Sequence, residues 1–283
     1  MTRHLLTSQL RRLGSASLLL LVCTSPAMAA GTADQEAQAP LSPEEQALVQ
    51  RVKEAVMKEL LESGALQDQI EIGIQRFVQK QRAAARAQQE RAASERAKNM
   101  RPVSAQRDHI YGNPDAPISL VEYSDFECPY CKHFHSIAKA LVDGSGGKVN
   151  WVYRHFPLSI HQPGAEREAL ASECAAAQGG NDAFWKYADA VFERTTSNGN
   201  GFPASRLVPL AEEIGLDGAK FQKCLNDKTY QGRIDEDLKN GIAAGINGTP
   251  GNILINTETK QMRAVPGAVP LASLKAEVNE LLK

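Results

Sequence analysis

This sequence has almost no imbalance of charge: 32 lysines and arginines stand against 33 aspartates and glutamates, a net of −1. So even a balance gives no overall attraction to a phosphate backbone, and nucleic acid is not expected as a partner. Long apolar runs are missing as well. The run ASLLLLVC near the start falls short of the roughly 20 residues that cross a bilayer, and nothing after Ala29 is apolar enough to do so. Cysteine is sparse, with five in the chain, and there is no second C-x-x-C and no H-x-x-x-H to complete a zinc site around the one C-x-x-C present.

The start of the chain reads as an address rather than as structure. Arg3, Arg11 and Arg12 precede the apolar run, and Ala27-Met28-Ala29 follows it with the small-x-small pattern of a cleavage site. Residues 1–29 are therefore expected to be a secretory signal, cleaved near Ala29 to leave a protein in the periplasm or outside the cell. Cleavage removes Cys23. Cys128, Cys131, Cys174 and Cys224 remain, an even number in a compartment where disulfides persist.

Residues 30–41, small and polar, read as a flexible linker. Ser42-Pro43-Glu44-Glu45 is a helix start: the serine caps, proline suits the first position, and the glutamates favour the positive end of the dipole. Val49, Val52, Val56 and Leu60 recur at helical spacing before Ser63-Gly64 stops the segment. A second run places Ile70, Ile74, Phe77, Gln81 and Ala84 on a four-three repeat and continues without an aromatic to Pro102, which is expected to end it. Too polar to form a core alone, residues 42–101 read as a helical stalk for self-association, with a solvated helical linker as the bland alternative.

From residue 102 to the end the pattern is that of a compact α/β domain. ISLVEYS and VNWVYRHF are buried-strand runs on either side of a helix that begins at the C-P-Y-C. A mainly helical stretch over about 160–244 is broken at Gly179-Gly180, at Asn198-Gly199-Asn200-Gly201 and at Gly215. GTPGNILIN, MRAVPG and LASLKAEVNELL then supply two strands and a terminal helix. The order is β-α-β, helical insert, β-β-α.

The chemistry centres on SDFECPYCKHFH, residues 124–135. A strand that delivers Cys128 to the first turn of a helix puts its sulfur beside unpaired N–H groups, which lower a thiol pKa from about 8.5 into the range of about 3.5–7.5. Cys128 is then the attacking sulfur, and Cys131, one turn on, resolves the mixed disulfide. Pro129 suits the helix start, and Tyr130 between the sulfurs tunes them less strongly than a histidine there would. Cys128, Cys131, His133 and His135 nominally make four zinc ligands, but successive helical residues rotate by about 100°, so the histidines cannot close one tetrahedron. No metal and no cofactor are expected.

The sequence closely resembles the DsbA-like branch of the thioredoxin superfamily, extracytoplasmic thiol-disulfide oxidoreductases. The resemblance is carried by GNPDAPISLVEYSDFECPYC, VYRHFPL, ECAAAQG, AFWKYADAVF and GINGTPGNILIN. It implies a thioredoxin fold with a helical insertion, a nucleophilic Cys128 and a buried partner Cys131. It further implies a threonine and cis-proline at Thr249-Pro250 that face the sulfurs and contact client peptides with Pro129 and Tyr130. Glu122 resembles the buried acid that moves the inner thiol's proton. The sequence departs from the family at Gly251-Asn252, where bulkier residues are usual, which bears on the shape of the peptide groove.

Cys174 and Cys224 read as a structural disulfide, since they close a long loop and neither has a C-x-x-C partner; a second redox pair is the rival view. The partners implied are secreted proteins with thiols or disulfides and a membrane redox protein. An N-terminal helical extension resembles the ScsC-like oligomeric type, which places isomerase or reductase work ahead of oxidase work. A non-catalytic holdase with its specificity in the stalk is the alternative from another class. His155 and His161 are expected either to border the site or to lie on the surface.

Overall fold

The structure, a computed structural model, describes residues 41–283. The chain divides into two compact units at Ile70 and Glu71. Helix α1 (Pro43–Glu62) begins at a reciprocal cap: the Ser42 hydroxyl accepts the Glu45 N–H, and the Glu45 carboxylate accepts the Ser42 N–H at 2.8 Å. Gly64, at φ +72°, turns the chain into α2 (Ala65–Ala97). The apolar residues of both helices, Val49, Val52, Val56 and Leu60, then Ile70, Ile74 and Phe77, are exposed.

The second unit is built on a five-stranded sheet in the order β1-β3-β2-β4-β5, formed by β1 (His109–Tyr111), β2 (Ile118–Ser124), β3 (Val149–His155), β4 (Gly251–Asn256) and β5 (Met262–Pro266). Strands β2 and β3 run parallel, joined through α3 (Pro129–Asp143), and the remaining pairs are antiparallel. Every residue of β2 and β3 is buried, because both faces of the sheet are covered. Leu120, Trp151, Tyr153 and Leu254 meet α3, the insert and α8 (Leu271–Leu281) on one face. Val121, Tyr123, Val152 and Ile253 meet Ala97, Met100 and Ala244 on the other.

The insert comprises α4 (Gly164–Arg194), α5 (Leu207–Glu213), α6 (Gly218–Asn226) and α7 (Gln231–Ala243). Helix α4 is kinked at Gly179-Gly180, where Gly180 takes φ 67° and ψ −157°. Cys174 of α4 and Cys224 of α6 are joined by a disulfide across a sequence separation of 50.

Two details differ from the sequence expectation. Strand β1 is an extra edge strand, and three residues are too few for any periodicity to show. Helix α2 ends at Ala97 instead of running to Pro102, because the backbone that follows is claimed by the domain. Asn240 of α7 accepts the Arg101 N–H at 3.0 Å and donates to the Asn99 carbonyl at 3.1 Å. The fully buried Arg154 of β3 donates to the carbonyls of Arg101 and Pro102 and forms an ion pair with Asp108 at 3.0 Å. The packed domain thus takes in Ala97 and Met100, residues the sequence pattern assigns to the helical segment.

Candidate active site

Cys128 is the N-cap of α3, with extended backbone at φ −82° and ψ 121°, and Pro129 occupies the first helical position, where a missing N–H costs nothing. The turn is closed by the Cys128 N–H on the Asp125 carbonyl at 3.1 Å and the Lys132 N–H on the Cys128 carbonyl at 3.0 Å. Pro129 and Tyr130 are exposed beside the cysteine, Tyr130 at 67 %. Cys131, one turn on, is fully buried, and both cysteines are free thiols in this structure.

The two thiols are electrostatically unlike. Cys128 is lowered to about 6: the hydrogen bond from the Cys131 thiol contributes most, burial opposes it, and the Thr249 side chain and the N–H groups of Cys131 and Tyr130 add smaller stabilisation. The N–H groups of the helix start, the cause expected from the sequence, rank behind the inner thiol in lowering Cys128. Cys131 is pushed well above the ordinary thiol range by burial, by its donation to Cys128 and by the nearby charge of Glu122. The shared proton therefore stays on Cys131, and Cys128 is the sulfur that ionises.

The carbonyl oxygen of Thr249 lies 3.4 Å from Cys128 Sγ, and Thr249 is joined to Pro250 by a cis peptide. The next residue explains the departure noted in the sequence. A Cβ on Gly251 would come within 2.4 Å of Ile246 Cγ2, so the side chain of Ile246 already fills the space a larger residue would need. Asn252 is buried and donates to the Gly267 carbonyl at 3.0 Å, an internal contact.

Glu122 lies on β2, paired with Tyr153 of β3 and Asn252 of β4. It is 1 % exposed, and burial pushes its carboxyl up to about 8, opposed by Ser124 and Trp151 and assisted by the charge of Cys128. Around neutral pH it is mostly a neutral acid able to exchange a proton with its surroundings. His135 is buried against Trp151, Trp185 and Phe192 and bonded to Asp189 at 2.6 Å, whereas His133 is exposed. His155 and His161 are not surface residues: His155 is bonded to Glu173 at 2.8 Å and His161 to Asp125 at 2.7 Å, both buried because they anchor the sheet end and the loop after it.

Sequence reasoning missed Glu127 and the loop it holds, residues 195–202, along with Glu168 of α4. Glu127 is the residue before Cys128, and only the fold brings the loop to it, since 68 to 75 residues separate Glu127 from the loop's donors.

A family model described as thioredoxin matches residues 104–264. DsbA2 of Pseudomonas aeruginosa is 32 % identical and superposes with a TM-score of 0.58 over 64 % of this chain and 97 % of its own. BcfH of Salmonella enterica Typhimurium, at 14 % identity, shares the fold over 85 % of this chain and 100 % of its own, with a TM-score of 0.61. The Na(+)/H(+) antiporter NhaA 3 of Salinispora tropica is 37 % identical over 152 residues, 53 % of this chain and 22 % of the antiporter. The chain thus spans about a fifth of the length of the curated relatives it matches, and no helix among its described residues is long and apolar enough to cross a membrane. On the matched domain and its DsbA2 likeness together, the chain belongs to the thioredoxin family, among the DsbA-like thiol-disulfide oxidoreductases.

Proposed function

We propose that this protein exchanges disulfides with secreted proteins outside the cytoplasm, through the dithiol of Cys128 and Cys131, and that it works chiefly on disulfides already formed, as an isomerase or reductase. The observation that carries this is the inequality of the two sulfurs: one ionised at the helix start, the other buried and protonated.

In the reaction the Cys128 thiolate attacks a sulfur of the client disulfide, forming a mixed disulfide and releasing the other client sulfur as a thiolate. If that freed thiolate attacks elsewhere in the client and eventually displaces Cys128, the client is isomerised and no net electrons move. If Cys131 instead gives up its proton and attacks Cys128 Sγ, the client leaves with two electrons and the pair ends as a disulfide. Glu122, in its ionised form, is the group proposed to take the Cys131 proton and to return it. Pro129, Tyr130, Thr249 and Pro250 are proposed to contact the client chain. The Cys174–Cys224 bond is proposed to stabilise the insert only.

Isomerase work is placed first because α1 and α2 carry apolar side chains in solvent, which support self-association through residues 42–101. An oligomer gathers several thiolates around one client and raises their effective concentration. The oxidase reading is favoured by a different observation. A Cys128 thiol at about 6 stabilises the reduced pair and so makes the disulfide form a stronger oxidant. A membrane redox partner is proposed in either case. The proposed signal, residues 1–29, and the linker up to Pro40 lie outside the described residues.

Reactivation of scrambled ribonuclease by the reduced protein separates the readings: recovery without added oxidant supports isomerisation, and its absence sinks it. Cys128→Ser should abolish exchange with any disulfide. Light scattering on the chain from residue 30, with and without residues 30–95, should show a loss of oligomeric mass, and an unchanged monomeric mass would remove the reason for ranking isomerisation first.

A further inference from the structure

Glu127 immediately precedes the reactive cysteine and is fully buried. Its carboxylate accepts the N–H groups of Gly199, Gly201 and Phe202 at 2.5, 2.9 and 3.0 Å and the Thr195 hydroxyl at 3.1 Å. Its backbone carbonyl accepts the Asn198 N–H at 2.8 Å. One residue thus gathers a whole loop. From the other side Lys132 of α3 donates to the carbonyl of Thr195 at 2.6 Å, so the loop is tied to the active-site helix twice.

The loop is shaped for this embrace. Ser197 and Asn198 take φ of 67° and 68°, and Gly199 takes +92°. A Cβ on Gly201 would lie 2.0 Å from the Ser197 nitrogen, and one on Gly164 would lie 2.4 Å from the Gly199 oxygen. A second buried carboxyl, Glu168 of α4, faces Glu127 and is held protonated, pushed up to about 11 by burial and then by its hydrogen bond to Glu127 and the charges of Glu127 and Asp125. Burial resists ionisation of Glu127 too, but the donors Glu168, Gly201, Phe202 and Thr195 outweigh it and its pKa is lowered. The other titratable groups at this turn are Asp125 and His161, bonded to each other, with Asp125 also accepting the Glu127 N–H at 2.9 Å.

We propose that Glu127 is a positioning residue for Cys128: by binding the loop 195–202 it holds the turn entering α3 so that Cys128 Sγ faces Thr249 and the N–H groups of Tyr130 and Cys131. The proposal rests on the thiol-exchange reading above. A buried carboxylate is costly unless its oxygens are fully bonded. Here four donors from one loop satisfy the Glu127 carboxylate and a fifth its backbone carbonyl, so the loop and the cysteine turn are held as one rigid piece.

The test uses variants that keep the negative charge, because neutralising Glu127 would itself alter the thiolate. Glu127→Asp withdraws the carboxylate by one methylene, and Gly201→Ala forces the loop away from an unchanged Glu127. In the reduced full chain both should speed amide hydrogen exchange at residues 198–202 by about tenfold or more. Both should also raise the Cys128 titration, followed by thiolate absorbance, by about half a unit, roughly a threefold change in the acid constant. Glu168→Gln, which still offers Glu127 a donor, should titrate as the wild type does. If Cys128 titrates unchanged in both Glu127→Asp and Gly201→Ala, Glu127 is only a structural staple and the proposal is overturned. Failure of the wild-type protein to exchange with disulfides would sink the functional reading instead, and the titration would still decide the positioning.

Discussion

Cys128 Sγ and the carbonyl oxygen of Thr249 stand 3.4 Å apart, a contact between the start of the active-site helix and the residue before Pro250 on the way into β4. The buried Thr249 hydroxyl favours the Cys128 thiolate.

Thr249→Val keeps the shape of this contact and removes the hydroxyl. The Cys128 titration should rise from about 6 toward the ordinary thiol range, by up to about one unit, as expected for one hydrogen bond to a charged group. Thiolate absorbance against pH measures it. The rate of alkylation at pH 5 should fall several-fold, and an unchanged titration would show that the Thr249 hydroxyl does not stabilise the sulfur.

Glu122 should leave a signature in stability against pH. Its folded pKa, about 8, lies above its ordinary value of 4.5, so the fold holds this proton more tightly than the unfolded chain does. The resulting stabilisation is complete below about pH 4.5 and is lost as the pH rises through about 8, at a slope of up to about 1.4 kcal/mol per unit. Cys128, depressed instead, acts in the opposite sense in the reduced protein: its contribution is lost as pH falls through about 6. Urea unfolding of Glu122→Gln and wild type side by side cancels the cysteine contribution. The variant should gain on the wild type from pH 5 to 8, and parallel curves would contradict the buried-acid assignment.

Reduction of the second disulfide should affect stability alone. Cys174→Ser opens a loop defined by a separation of 50 residues, for which chain entropy predicts about 4 kcal/mol. The urea midpoint should drop accordingly. Exchange between Cys128 and a small disulfide, measured well below that midpoint, should keep its wild-type rate. A large loss of rate in the folded variant would revive the second pair as a redox relay.

Arg154 links the end of α2 to the sheet. Arg154→Met leaves the buried Asp108 with the Ser104 N–H at 2.9 Å and the longer ion contacts to Arg101 and Arg107, at 3.7 and 3.9 Å, and removes donors from the carbonyls of Arg101 and Pro102. A loss of about 3 kcal/mol or more is expected, as for other broken buried pairs. Adding Asp108→Asn should restore part of it, and an additive double variant would mean that the two residues do not interact.

The site was legible in the sequence wherever a short pattern carries its own geometry. C-P-Y-C after a strand places one sulfur at the helix start and the other a turn later, and Ser42-Pro43-Glu44-Glu45 caps α1 without help from the rest of the chain. The strands ISLVEYS and GNILIN were legible because a strand buried on both faces is apolar along most of its length. Strand β1 was not, being three residues whose only claim to be a strand is their pairing with β3. The burial of His155 and His161 was equally invisible, since it depends on Glu173 and Asp125 arriving from elsewhere.

The sequence by itself determined the dithiol, its helix, four of the five strands in their order along the chain and a polar helical segment ahead of them, because each follows from spacing and turn chemistry over a few residues. Only the tertiary structure decided that the inner thiol is the chief stabiliser of the Cys128 thiolate, that Ile246 requires glycine at 251, that the last turn of α2 packs into the domain core, and that Glu127 holds the loop beside the reactive sulfur. These depend on burial and on contacts made through space. Burial sets the energy of a charge or a hydrogen bond, and it exists only once distant segments have packed together.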